Sequence, residues 1–160
     1  MESYIRIDGW RANIRFSSAH VIPEYEKCGR LHGHTYAIHA SLYGPRDKKG
    51  IIVDFTIIKH HLKEIADYLD HRILIPGESP SITIKDVNNQ ITLNSLGKTY
   101  VFPKQDCIIL PLSSTSAENL ASYILETILE KMEHQNQLSK IEIGVDEGYG
   151  QGAFISKSIK

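Results

Sequence analysis

The chain has 160 residues, of which 41% are hydrophobic and 23% are charged, and its formal net charge at pH 7 is -1. This length is typical of one globular domain with its own apolar core. A charge balance near zero argues against a general nucleic-acid-binding protein, which usually carries a basic excess. No apolar run is long enough to span a membrane, and no apolar signal-peptide core follows Met1. We therefore expect a cytoplasmic protein that binds neither nucleic acid nor membranes.

The first half of the chain predicts strands followed by a helix. Alternating apolar residues indicate one strand over residues 4–20, with a bulge or bend at Gly9, and a second over residues 32–44. Residues 51–53 predict a short third strand. Residues 56–69 predict a helix, because apolar side chains recur there with the helical period. That stripe consists of Ile58, Leu62, Ile65, Ala66 and Leu69.

The second half begins with a segment of different character, residues 78–106, in which three short β-like runs indicate a β-rich insertion. A second helix is expected from about residue 114 to Glu133, with Thr115 and Glu118 as a capping box. Two further strands follow, the first over residues 141–147. The predicted fold is a single α+β domain over residues 1–160, in which one antiparallel sheet carries two helices on one face.

Three histidines around a glycine-rich segment are the strongest functional signal. His32 and His34 are two residues apart, so on a strand both side chains leave the same face. An antiparallel pairing of the first two strands would place His20 opposite them. Three neutral imidazoles with a fourth position open are the ligand set of a catalytic zinc site. The alternatives are ordinary hydrogen-bonded histidines, or a closed structural zinc site with Cys28 as the fourth ligand.

Other residue types suited to acid–base chemistry accompany the histidines. Cys28 lies among charged and glycine residues, a setting that favours a reactive thiolate, whereas Cys107 lies in an apolar run and is expected to be inert. Asp70 precedes His71, and a carboxylate can orient a neighbouring imidazole. Glu147 continues the apolar face of a strand, where a carboxylate needs a partner, such as the N–H groups of a pterin or guanine edge.

Together these segments resemble the family of 6-pyruvoyl-tetrahydropterin synthases and 6-carboxytetrahydropterin synthases. The resemblance covers nearly the whole chain except residues 78–106. The matching segments are Phe16 to His20, Cys28 with His32-Gly33-His34, Val53-Asp54-Phe55, Leu69-Asp70-His71, Ser116-Ala117-Glu118-Asn119-Leu120-Ala121 and Val145-Asp146-Glu147.

The resemblance implies a tunnelling fold, in which each subunit contributes an antiparallel four-stranded sheet and two helices to an oligomeric barrel. The usual assembly is a hexamer of two stacked trimers with active sites between subunits. The family roles, carried to this sequence, are Zn²⁺ ligands for His20, His32 and His34, acid–base catalysis for Cys28, Asp70 and His71, and substrate binding for Glu147 and Ser116. Asp70 and His71 would come from a neighbouring subunit.

The resemblance also indicates the reaction. Three residues separate Cys28 from His32-Gly33-His34, as in the 6-carboxytetrahydropterin synthases, which act on the route to 7-deazaguanines of transfer RNA. The expected conversion is of 7,8-dihydroneopterin triphosphate to 6-carboxy-5,6,7,8-tetrahydropterin, acetaldehyde and triphosphate. One alternative is a 6-pyruvoyl synthase that eliminates triphosphate only. A side-chain aldolase is disfavoured, since that activity goes with a glutamate near the cysteine position. A non-catalytic protein that binds zinc and a pterin is the remaining alternative.

Overall fold

The structure is a computed structural model of a single chain, and it describes residues 1–159. These residues contain two α-helices and ten strands, and the strands form two separate sheets. The helices are α1 (Phe55–Leu69) and α2 (Ala117–Lys131). The strands are β1 (Tyr4–Ile7), β2 (Arg15–His20), β3 (His32–Tyr43), β4 (Arg72–Pro76), β5 (Ile82–Val87), β6 (Gln90–Ser95), β7 (Lys98–Pro103), β8 (Cys107–Leu110), β9 (Lys140–Glu147) and β10 (Gly152–Ser158).

The main sheet is larger than the four antiparallel strands expected from the sequence. Its strand order is β10-β9-β3-β2-β4-β8, and β1 pairs with the C-terminal end of β3. Strands β4 and β8 extend the sheet, β4 pairing in parallel with β2 and β8 in parallel with β4. Each is only four or five residues long. Strands of that length show no clear alternation of apolar and polar residues, and the strands they pair with are distant in sequence. The sequence-based prediction missed them for these reasons.

The predicted strand over residues 4–20 is interrupted between β1 and β2. Residues 8–14 form a turn in which the Ile14 amide donates to the Gly9 carbonyl at 2.8 Å. A side chain at Gly9 would overlap the Ile38 carbonyl, so only glycine allows this close approach to β3. The third strand predicted over residues 51–53 was wrong, because those residues form a bend before α1.

Both helices pack on one face of the main sheet and enclose the apolar core with it. The predicted stripe of α1 is confirmed, since its five residues are the ones that the helix buries. Asp54 caps α1 by accepting a 2.8 Å hydrogen bond from the Thr56 amide. The predicted capping box of α2 was wrong by one residue, because Ser116 is the N-cap and accepts from the Asn119 amide. Within residues 1–159, no helix has the length and apolar character of a membrane span.

Residues 78–106 contain a second, three-stranded antiparallel sheet of order β5-β6-β7. The three β-like runs of the sequence lie within these strands. The small sheet has its own apolar cluster, which also includes Val21 and Ile75 from outside the segment. This packing connects the small sheet to the residue that follows His20, and it therefore reaches the edge of the candidate site.

Candidate metal centre and active site

The fold brings His20, His32 and His34 together at one end of the main sheet. His20 ends β2 and pairs directly with His32 at the start of β3, while His34 pairs with Ser18. One ring nitrogen from each of the three lies within 4.8 Å of the others. The two-residue spacing on β3 produces this convergence, because alternate residues of a strand share a face.

Backbone carbonyls fix which ring nitrogens face the centre. His20 Nδ1 lies 3.0 Å from the Thr115 carbonyl oxygen and 3.1 Å from Thr115 Oγ1. His32 Nδ1 lies 2.6 Å from the Arg30 carbonyl oxygen. A carbonyl can only accept, so each Nδ1 is a protonated donor, and in the neutral form of such a ring Nε2 keeps its lone pair. Outer-shell carbonyls that fix the tautomer in this way are typical of metal-ligating histidines.

The distance between the Nε2 atoms of His20 and His32 shows whether a metal would fit between them. His20 Nε2 and His32 Nε2 are 3.1 Å apart, and with the proton of each ring on Nδ1 neither Nε2 can donate to the other. Two lone pairs at this distance repel unless a cation lies between them. In a tetrahedral zinc site with Zn–N bonds of about 2.0–2.1 Å, two ligand nitrogens are about 3.3 Å apart. The donor set therefore fits a metal ion of this kind.

The protonation state of His20 agrees with that role. Burial lowers the pKa of His20 to about 4, with the neighbouring His32 and His34 acting in the same direction and the Thr115 hydrogen bond opposing them. The ring is therefore neutral at pH 7. Neutral imidazole is the form that binds a metal.

Thr115 and Tyr36 are contacts of this centre that the sequence did not reveal. Thr115 is fully buried and holds His20 from a position 95 residues later in the chain. The Tyr36 hydroxyl is 3.4 Å from His20 Nδ1. Burial, with a smaller contribution from Glu147, raises the pKa of Tyr36 far above its usual value, so this hydroxyl stays protonated. No local sequence pattern could identify either contact, since both depend on packing between distant elements.

Glu147, the last residue of β9, lies next to the histidines. Its Oε1 is 4.0 Å from His20 Nε2, and its Oε2 is 3.8 Å from His34 Nε2. Its side chain is 21% exposed, so the carboxylate remains accessible from the pocket. At these distances the Glu147 carboxylate can interact either with a substrate or with a cation bound by the histidines.

Cys28 and Ser116 share a pocket with Glu147. This pocket has a volume of about 370 Å³, and Tyr25 and Gln151 also line it. Cys28 is exposed in the loop between β2 and β3. The Ser116 hydroxyl accepts from the Asn119 amide as the cap of α2, so part of its hydrogen-bonding capacity is used within the protein.

Asp70 and His71 are not among the residues that line the Cys28 pocket. Asp70 accepts from the Ser17 amide at 2.8 Å and lies 2.8 Å from His71 Nδ1. Burial acts to raise the pKa of Asp70, but the hydrogen bonds from the Ser17 amide and His71 outweigh it and hold that pKa below its ordinary value. His71 lines a different pocket, of about 570 Å³, together with His34.

The backbone and exposure of His71 are unusual. Its φ is +57°, a left-handed conformation that is unfavourable for a side chain other than glycine and is enriched at functional sites. Its side chain is 83% exposed. The Asp70–His71 pair therefore presents an oriented imidazole on the surface of the chain.

A second group of potential metal ligands, His60, His61 and Glu64, lies on the outer surface of α1. Lys131 Nζ is 3.3 Å from Glu64 Oε2, and this contact is the main cause that lowers the pKa of Glu64. Both histidines also contact the same carboxylate at 3.5 Å. Ion pairing around Glu64 accounts for this arrangement without a metal.

A carboxylate beside three convergent imidazoles, and a thiol on the same pocket as that carboxylate, give the composition of an acid–base enzyme with a candidate metal centre. The chain belongs to the 6-pyruvoyl tetrahydropterin synthase family, whose family model matches residues 10–157. It is therefore a lyase-type pterin synthase, as the sequence resemblance predicted.

Relatives and solved structures match over almost the full length. The chain is 36% identical over 160 residues to a protein of Methanocaldococcus jannaschii with the provisional name 6-carboxy-5,6,7,8-tetrahydropterin synthase, and the match covers 98% of each chain. The 6-pyruvoyl tetrahydropterin synthase of Plasmodium falciparum superposes with a TM-score of 0.89 at 28% identity, covering 99% of each chain. A Plasmodium vivax 6-pyruvoyltetrahydropterin synthase, with alanine in place of a catalytic glutamate, gives a TM-score of 0.90 at 25% identity and the same coverage.

Proposed function

We propose that this protein converts 7,8-dihydroneopterin triphosphate and one water molecule to 6-carboxy-5,6,7,8-tetrahydropterin in a zinc-dependent reaction that releases acetaldehyde and triphosphate. The observation that carries the proposal is the exposed Cys28, separated by three residues from His32-Gly33-His34, on the pocket that Glu147 also lines. The name of the Methanocaldococcus jannaschii relative supports this product. The similarity to 6-pyruvoyl tetrahydropterin synthases of Plasmodium favours a second candidate, elimination of triphosphate without loss of side-chain carbons.

In this proposal the chain's own residues divide the work between binding and proton transfer. Glu147 accepts hydrogen bonds from the pterin amino and ring N–H groups and so fixes the side chain of the substrate in the pocket. Cys28, as thiolate, removes a proton from that side chain, and His71, oriented by Asp70, returns one. Ser116 contributes to binding at the mouth of the pocket. His20, His32 and His34 would hold zinc, which when bound supplies Lewis-acid polarisation of a substrate hydroxyl.

The proposed assembly is a homo-oligomer, a hexamer of two stacked trimers, with each site shared between subunits. Two observations support a shared site. Asp70 and His71 do not line the Cys28 pocket of their own chain, and His71 lines another pocket, which favours their supply by a second copy. In addition, β10 pairs only with β9 among the described strands and leaves an open sheet edge. Open edges are usually covered by a partner.

The experiment that tests the proposal is mass analysis of the products formed from 7,8-dihydroneopterin triphosphate by zinc-loaded protein. A 6-carboxy pterin together with acetaldehyde is the expected result. A 6-pyruvoyl pterin would replace the proposed reaction by the second candidate. Release of a 6-hydroxymethyl pterin, or no turnover by folded and zinc-loaded protein, would contradict both.

Replacing Glu147 by glutamine tests its role in substrate binding. We expect kcat/KM to fall about 10–100-fold through a higher KM, because one hydrogen bond to a charged group is worth about 1.5–3 kcal/mol. Metal content, measured by atomic emission on the purified protein, is expected to stay unchanged. The matched control is Glu142→Gln, a partly exposed carboxylate on the same strand. A loss of metal from the Glu147 variant would make Glu147 a ligand and contradict this role.

A further inference from the structure

The loop that carries Cys28 packs against the three-stranded small sheet. This loop comprises residues 21–31, between β2 and β3, and is called the Cys28 loop below. Its first residue, Val21, is 2% exposed and belongs to the apolar cluster of the small sheet, with Ile82, Ile91 and Leu93. The start of the loop is therefore anchored by residues of β5 and β6.

A second contact lies directly beside the cysteine. The turn between β6 and β7 places Leu96 against Gly29, the residue after Cys28. A methyl group built on Gly29 would lie 2.5 Å from Leu96 Cδ1 and 2.6 Å from the Tyr25 carbonyl oxygen. Gly29 is buried, although the residues on both sides of it are exposed. The Leu96 side chain thus covers the backbone of the Cys28 loop at the position where only glycine fits.

Leu96 occupies a position where leucine is an unfavourable choice. The turn has positive φ at both central residues, +52° at Leu96 and +73° at Gly97. Such two-residue hairpin turns favour Asn-Gly, since asparagine and glycine tolerate the left-handed region. The other hairpin of the same sheet follows this preference, with Asn88 and Asn89 at φ of +54° and +58°. The contact with Gly29 gives a reason for a leucine here, because asparagine could not make the same apolar contact.

We propose that the three-stranded sheet of residues 82–103 positions the Cys28 thiol, and that Leu96 is its positioning residue. The proposal rests on the proposed catalytic role of Cys28. Leu96 acts through the backbone of Gly29 and does not itself line the Cys28 pocket. Positioning through packing is effective because a displacement of about 1 Å at a reacting group can cost about 100-fold in rate.

The test replaces Leu96 by asparagine and measures stability, turnover and thiol reactivity in the full-length protein. Asparagine suits the turn, so the melting temperature is expected to be unchanged or higher. We expect kcat to fall about 10–100-fold with KM within about twofold of the original. The rate at which iodoacetamide alkylates Cys28, followed by peptide mass spectrometry, is expected to change at least threefold. Cys107, which packs against the apolar cluster of the small sheet, is followed as a second thiol, and the expected change in alkylation is confined to Cys28.

Two further variants sharpen the result. Leu96→Met keeps an apolar side chain on Gly29 and is expected to restore most of the kcat. Val87→Ala removes another exposed apolar side chain of the same small sheet, away from the loop, and is expected to leave kcat and Cys28 alkylation unchanged.

Each other outcome has a definite meaning. An unchanged Cys28 alkylation rate in the Leu96→Asn variant, with or without a loss of turnover, would overturn the positioning role. A methionine variant as slow as the asparagine variant would overturn it too. A changed alkylation rate with unchanged kcat would support the packing of Leu96 on the loop and contradict the catalytic role of Cys28.

Discussion

Replacing His34 by alanine is expected to remove the bound metal and to lower turnover by more than about 100-fold. Loss of an outer-shell partner alone costs about 10–100-fold in metal affinity or activity, and loss of a ligand costs more. His34 suits this test because its side chain is 25% exposed, whereas His20 is almost fully buried and its removal would also disturb the core. Metal content by atomic emission and turnover of 7,8-dihydroneopterin triphosphate are the two measurements.

The control for this prediction is His60→Ala, which removes an exposed histidine of the second potential ligand group on α1. It is expected to retain the metal and the activity. A chelator provides a readout independent of turnover: a metal present at about 100 times its Kd stabilises the folded state by about 2.7 kcal/mol. Chelation should therefore lower the melting temperature of the unmodified protein and leave the His34 variant unaffected. Full activity of rigorously metal-free protein would contradict the proposal.

Subunits that lack Cys28 and subunits that lack His71 are expected to restore activity when they are assembled together. Cys28→Ala and His71→Ala alone should each reduce kcat by about 10²–10⁴-fold, the usual contribution of a general acid or base. If each site takes Cys28 from one subunit and His71 from its neighbour, random mixing makes about one quarter of the sites intact. Co-expression with two different affinity tags, followed by tandem purification, gives the mixed oligomers whose activity is measured.

The outcome of mixing depends on where His71 acts. Recovery to about a quarter of the original activity supports a site shared between subunits. Activity no higher than that of the separate variants would place all of the proposed proton-transfer groups within one chain, although His71 and Cys28 line different pockets. Cys107→Ala is the matched control for loss of a thiol, because Cys107 lies in β8 and lines neither pocket.

Local patterns predicted the parts of the site that depend on neighbouring residues in the chain. The spacing of His32 and His34 determines that both leave one face of β3, and the pairing of consecutive strands brings His20 opposite them. The stripe of α1 and the strand runs of residues 82–103 were likewise predictable, because side-chain period follows from backbone geometry. Cys28 and Glu147 could be selected by residue type and family resemblance.

What the sequence by itself determined is therefore the short-range chemistry: the histidine pair, the strand and helix periods and the spacing of Cys28. Only the tertiary structure decided which distant residues meet. It brought Thr115 to His20 across 95 residues, added β4 and β8 to the sheet, and set Leu96 against Gly29. It also placed His71 and Cys28 on different pockets of one chain. The physical reason is that these contacts come from packing and strand pairing between remote segments, which leave no periodic signal in either segment alone.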